Sequence, residues 1–204
     1  LKKEDFVSVE HYSMREPCKV KVFRIEDDTY KLVFPKDILK KEINPDDPMV
    51  IGQKKSKKIS TYGAQVLDVD NRKSTVDIKL DLRKKLTSDK RFYQRYPVSL
   101  YASIKTTDAI KRELCYIKDM SIFGMKLFSE FDFMYKDRVI VDIYSNDDIM
   151  SQEGEIVQKH KLKKNWIYGI KVKHTLTHSF DILRAYLNDI DNRHSKSFKK
   201  PLEL

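Results

Sequence analysis

Cysteine is nearly missing from this chain. Cys18 and Cys115 stand alone among 204 residues, far apart and in no CxxC pair. That excludes a disulfide framework and a cysteine-rich zinc site, and it is the usage expected in a reducing compartment, so the expected location is the cytoplasm. Long apolar runs are missing too. None approaches the ~18 residues that cross a bilayer as a helix, and the charged start LKKED does not read as a signal sequence. Glycine (5) and proline (6) are sparse, so few positions invite sharp turns. The chain also lacks the GxxxxGK[ST], GxGxxG and GxSxG motifs, which removes P-loop, dinucleotide-binding and α/β-hydrolase chemistry from consideration.

What the chain does have is charge and alternation. Charged residues make up 35% and the net charge is +10, while 40% hydrophobic residues leave enough for a packed core. A surface of this sign favours polyanions: nucleic acid, nucleotides, acidic proteins or anionic headgroups. A plain lysine-coated soluble protein carries the same balance.

Apolar and polar residues alternate at period two over much of the chain, as half-buried strands do. CKVKVFRI (18–25) and TYKLVF (29–34) flank the turn-like EDD. PKDILKKEINPDDP holds room for a short helical turn. PMVIG, the basic run QKKSKKIS, and YGAQVLDV and STVDIKL across DNRK follow. About five strands before residue 82 predict a small antiparallel barrel or sandwich. LRKKLTSDKR then breaks the alternation. Beyond it come YPVSLYASIK, RELCYIKDM, GMKLFSE, RVIVDIYS, SQEGEIVQKH and WIYGIKVKH, six strands that predict a second closed or nearly closed barrel. From Thr177, a plausible N-cap, Phe180, Leu183, Leu187 and Ile190 recur at three- and four-residue steps, an amphipathic helix. The expected fold is therefore all-β: two small antiparallel β-barrels joined by a charged linker, with a C-terminal α-helix. The expected divisions are an N-terminal barrel over 1–83, a linker over 84–95, a second barrel with its helix over 91–190, and a basic, frayed tail over 191–204.

Two short motifs carry chemistry. In KRFYQRYPV, Arg91 and Arg95 stand four apart where the lysine-rich spacer meets the first strand of the second barrel. A guanidinium fork grips phosphate, carboxylate or the O6/N7 edge of guanine with two hydrogen bonds. In DMSIFG, Asp119 can accept from the N1/N2 edge of a guanine, Ser121 suits a base edge or a phosphate oxygen, and Gly124 permits a positive φ or a close backbone approach. Taken singly, each has an ordinary explanation: RxxxR arises by chance in a basic chain, and SIFG makes a common hairpin turn.

Together, and in this order, the motifs resemble those of the PilZ domain family, receptors for the bacterial second messenger cyclic di-GMP. That family carries RxxxR followed by (D/N)xSxxG in a six-stranded barrel often followed by a helix. RFYQR and DMSIFG match every defining position, and WIYGIKVKH resembles a late strand of the barrel. The resemblance implies that Arg91 and Arg95 contact guanine and phosphate, that Asp119 and Ser121 hold a guanine edge, and that Gly124 admits the backbone. Lys90 stands where some members have a further arginine that helps capture a stacked ligand pair. The first half is similar in order and size to the N-terminal barrel of flagellar-brake-type members. The resemblance thus implies a non-catalytic receptor with cyclic di-GMP held at the domain junction and signalling by linker ordering and domain reorientation. The implied partner is a downstream effector such as a flagellar motor or polysaccharide synthase.

Rival readings are a diverged interaction module that no longer binds nucleotide, and a basic small-barrel binder of RNA or single-stranded DNA using Phe92, Tyr93 and Tyr96. On the receptor reading DNA is not an expected partner. No nucleophile–base pair suggests an enzyme and no cofactor is expected. His174 and His178 have a metal-like spacing but no third ligand, so no metal is expected. The acidic pairs at 27–28, 46–47 and 147–148 read as solvated turns, Trp166 as core or barrel rim, and KKSKK as a solvated loop or a contact for an acidic partner or lipid headgroups.

Overall fold

A computed structural model describes residues 1–39, 43–56, 58–81, 93–145, 148–174 and 177–200; the side chains at 36, 37, 177 and 178 are outside that description. The chain divides into two compact units, Leu1–Lys90 with Asp189–Leu204, and Arg91–Asn188. Each contains one closed barrel of six antiparallel strands.

The first barrel is built from β1 (Phe6–Glu10), β2 (Cys18–Glu26), β3 (Thr29–Val33), β4 (Pro48–Lys55), β5 (Lys58–Asp70) and β6 (Thr75–Leu80), with a short helix α1 (Lys36–Leu39) after β3. The strands run β1-β2-β3-β6-β5-β4 and β4 closes on β1 through Val9↔Ile51. Alternation explains the interior. Val20 and Val22 of β2, Leu32 of β3, Ile51 of β4, Val66 of β5 and Val76 and Ile78 of β6 are completely buried, and the residues flanking Val20, Val22, Leu32, Val66 and Ile78 are at least partly exposed. A bulge between Val22 and Arg24 resets the pleat and leaves Phe23 half exposed.

β1 escaped the sequence reading, and the reason is physical. Val7 and Val9 point into the barrel, but Ser8 and Glu10 on the opposite face are buried as well. A strand covered on both faces by polar and apolar neighbours shows no half-buried signature. Its cover is the end of the C-terminal helix, α2 (Thr177–Ser197). His194 Nδ1 lies 2.8 Å from Ser8 Oγ and its Nε2 3.2 Å from Glu10 Oε2. Arg193 Nη1 donates to Glu10 Oε1 at 2.7 Å, and Ser197 donates to Ser8 Oγ at 2.7 Å. The expected frayed tail over 191–204 is thus corrected: helix continues to Ser197, with His194 and Ser197 buried among these groups. Gly52 on β4 makes room for the docked helix; a Cβ there would sit 2.7 Å from His194 Nδ1.

The second barrel comprises β7 (Tyr96–Thr106), β8 (Glu113–Ser121), β9 (Gly124–Ser129), β10 (Arg138–Tyr144), β11 (Ile149–Leu162) and β12 (Asn165–Lys173). The order is β10-β11-β12-β9-β8-β7, closed by β7 on β10 through Val141↔Ile104. Ala102, Ile104, Cys115, Ile117, Leu127, Val139, Val141, Ile143 and Ile156 fill it. Leu183, Leu187 and Ile190 form the buried stripe of α2, at the expected spacing. No described helix is long and apolar enough to cross a membrane.

Candidate functional site

The site residues gather at one rim of the second barrel because three short stretches end there. Arg95 directly precedes β7. Pro97 lies opposite Asp119 near the end of β8, and the register shifts between Pro97 and Leu100. Proline cannot donate to the ladder, and a bulge at a strand start accommodates it. Ser121 and Gly124 pair across the turn into β9, with Ile122 and Phe123 at its tip.

Arg95 reaches back over this turn. Its Nη1 donates to Asp119 Oδ1 at 2.7 Å. The Asp119 side chain is 3% exposed and that of Arg95 29%, so the carboxylate is a buried anchor and the guanidinium has an edge at the surface. The second arm of the fork, Nη2, lies 3.6 Å from where a Cβ on Gly124 would be, and Ser121 Oγ 3.9 Å from the same point. Ser121 Oγ also donates to Gly124 O at 3.2 Å, which fastens the turn. Arg95, Asp119, Ser121 and Gly124 therefore share one small volume. Arg91 and Lys90 lie outside the described residues.

Gly124 is needed for space rather than for backbone handedness. No described glycine has a positive φ, but a Cβ at 124 would stand 3.0 Å from the backbone oxygen of Ile170 on β12. Of the two roles offered by the sequence, close approach is the one adopted.

An aromatic group that sequence reasoning did not place at the site flanks it. Tyr93 and Phe123 have ring centroids 4.3 Å apart, and Phe123 contacts His174 at 5.3 Å and Phe180 at 6.5 Å. His174 Nε2 donates to Ile122 O at 2.6 Å, and Val172 N donates to Phe123 O at 3.0 Å, so β12 holds the turn from the far side. Phe123 and Tyr93 remain 39% and 52% exposed, giving flat apolar faces beside the cationic fork. The signals in the sequence were the aromatic third residue of SIFG and Tyr93, which the sequence offered only for nucleic-acid stacking. His174 is thus spent on the turn; the side chain of its metal-spacing neighbour His178 is outside the described residues. Among the described residues no cluster of three or more His, Cys, Asp or Glu side chains could hold a metal.

A forked cation seated on a buried carboxylate, a hydroxyl, a close-packed glycine and exposed rings set groups that pair with anions next to groups that stack on aromatic rings. The sequence signature of the PilZ domain matches residues 89–189. The chain belongs to the PilZ domain family, and its second barrel is the PilZ domain. No curated protein matches the chain significantly by sequence. Similar solved structures include the Bacillus subtilis inhibitor of motility MotI/DgrA (15% identity, 93% of this chain and 100% of that one, TM-score 0.38). Another is Escherichia coli YcgR in complex with c-di-GMP (10% identity, 95% and 87%, TM-score 0.44). A third is Borreliella burgdorferi PlzA in complex with c-di-GMP (14% identity, 90% and 87%, TM-score 0.38).

Proposed function

We propose that this protein is a non-catalytic cytoplasmic receptor for cyclic di-GMP, bound by Arg95, Asp119, Ser121 and Gly124 together with Arg91 and Lys90. The observation that carries the reading is that Arg95 of the first motif lies with Asp119, Ser121 and Gly124 of the second on one rim, its fork on Asp119 and beside Gly124. The ligand offers what these groups select: two guanines and two phosphates. The outer edge of Arg95 meets a guanine O6/N7 edge or a phosphate, Asp119 takes N1/N2 donors, and a base lies against Tyr93 or Phe123. Two or three such contacts support micromolar binding or tighter, about −8.2 kcal/mol at micromolar.

Lys90 and Arg91 sit on the charged connector, so their capture by the ligand orders that segment at the domain junction and reorients the barrels. A downstream protein, a flagellar motor component or a polysaccharide synthase, reads the change. Calorimetry with cyclic di-GMP, GTP and the linear dinucleotide tests the reading. Saturable binding of the cyclic ligand alone, at one or two per chain, is expected. No heat with any of the three, or a steep length-dependent affinity for single-stranded RNA instead, overturns it.

A further inference from the structure

At the opposite end of the PilZ barrel the surface changes character. β9 runs from Gly124 at the ligand rim to Ser129, roughly 17 Å at strand rise. There the 130–137 loop meets the β11–β12 hairpin. Trp166 pairs with Ser129; the Tyr168 hydroxyl donates to Phe131 O and accepts from Phe133 N, both at 2.9 Å; Lys136 N donates to Ile156 O at 2.9 Å; and Lys159 forms an ion pair with Asp132. These bonds make one platform of two loops.

The platform displays large apolar side chains to solvent. Met134 is 65% exposed, Tyr135 58%, Phe131 47% and Leu162 47%. Soluble surfaces rarely gather such groups without a use for them. Around them stand exposed Lys136, Lys161, Lys163 and Lys164. Two of these, Lys136 (φ 71°) and Lys163 (φ 52°), hold left-handed turn positions that glycine or asparagine adopt at less cost. The nearby carboxylates are partly consumed in building the loop, Asp132 by Lys159 and Asp137 by the Met134 amide at 2.8 Å, which leaves Glu130 as the other acidic group.

We propose that this end of the barrel docks on an anionic membrane surface, with Leu162, Met134, Tyr135 and Phe131 entering the headgroup–acyl boundary and the lysines meeting lipid phosphates. Aliphatic tips flanked by long cationic chains fit a bilayer interface, where lysine stems lie along apolar matter and their charges stay wet. They fit single-stranded nucleic acid poorly: Leu162 and Met134 cannot stack on bases, and the Trp166 ring already carries the ammonium groups of Lys159 and Lys161 at 4.3 and 5.1 Å. The apolar groups stand on two loop tips rather than lining a groove, which argues against a peptide. The surface is separate from the ligand rim, so it stands or falls apart from the receptor reading.

The test is co-sedimentation of the full chain with vesicles of phosphatidylcholine alone and of phosphatidylcholine mixed with phosphatidylglycerol. The expected result is binding to the mixed vesicles only, weakened by salt. Leu162→Asp with Met134→Asp lowers the partition about tenfold or more, and Lys161→Ala or Lys164→Ala about fivefold each, with thermal unfolding and cyclic di-GMP titration as folding and ligand-rim controls. Lys54→Ala with Lys55→Ala, on the first barrel, changes partition little. Absence of anionic preference, full binding by the aspartate variant, or equal losses from the first-barrel lysines would overturn the proposal, as would single-stranded RNA binding that the same platform variants abolish.

Discussion

Replacing Arg95 by lysine or alanine separates the two jobs assigned to it. Arg95 gives a charge-assisted hydrogen bond of 2.7 Å to Asp119, whose side chain is 3% exposed. Such bonds contribute about 1.5–3 kcal/mol, and water at the 29% exposed guanidinium screens this one toward about 1–2 kcal/mol. Arg95→Ala should therefore lower the midpoint of unfolding of the second unit by roughly 4–15 °C, and an Arg95→Ala/Asp119→Ala cycle should return a coupling of about 1–2 kcal/mol. Lysine keeps the charge near Asp119 and so retains most of this stability, but it lacks the planar fork. If the fork reads a guanine edge or phosphate, Arg95→Lys loses about 1–3 kcal/mol of binding, a roughly 5- to 150-fold rise in the calorimetric Kd for cyclic di-GMP. A lysine variant that binds within about twofold of the unaltered chain, with stability intact, would refute the fork argument.

Three other outcomes follow from the packing. Gly52→Ala drives a methyl group into the buried His194 ring, so the first unit should lose about 1–3 kcal/mol in urea unfolding, with faster amide exchange at residues 193–197; unchanged exchange there contradicts the docking geometry. Burial alone would raise the Glu10 pKa, but the His194 hydrogen bond and the charges of Arg193 and His194 outweigh it and hold the group below its ordinary 4.5. A depressed folded pKa means that the unfolded chain takes up the proton first. Glu10 thus stabilises the first unit fully above pH 4.5 and loses that contribution as pH falls below it, and Glu10→Gln should flatten that acid limb in urea midpoints measured against pH. Burial pushes the Cys115 thiol up to about 12, so thiol titration of the native protein near neutral pH should leave it unreacted until denaturant is added; two reactive thiols in the folded chain would contradict this.

The ordered pair of motifs and the alternation of strands such as CKVKVF and YASIK were legible because both depend on local spacing. A strand with one buried face announces itself every second residue. The turn at SIFG was legible for the same reason, and its glycine flagged a constraint without saying which one. What hid was whatever depends on a distant neighbour. FVSVE went unread because its polar face is covered by residues more than 180 positions later, Ser8 by His194 and Ser197. The helix end looked like a tail because a histidine and a serine count as polar until a buried carboxylate and hydroxyl are set opposite them.

The amino-acid order alone thus determined two antiparallel barrels, an amphipathic helix and a guanidinium–carboxylate–glycine motif, since period and spacing are properties of the chain itself. Tertiary structure alone decided that Arg95 rests on Asp119, that Gly124 is glycine for the sake of the Ile170 carbonyl, and that Glu10 is an interior charge. Each of these is a distance between groups far apart in sequence. Burial, which sets the strength of a charge pair and the room for a methyl group, exists only once the barrels have closed.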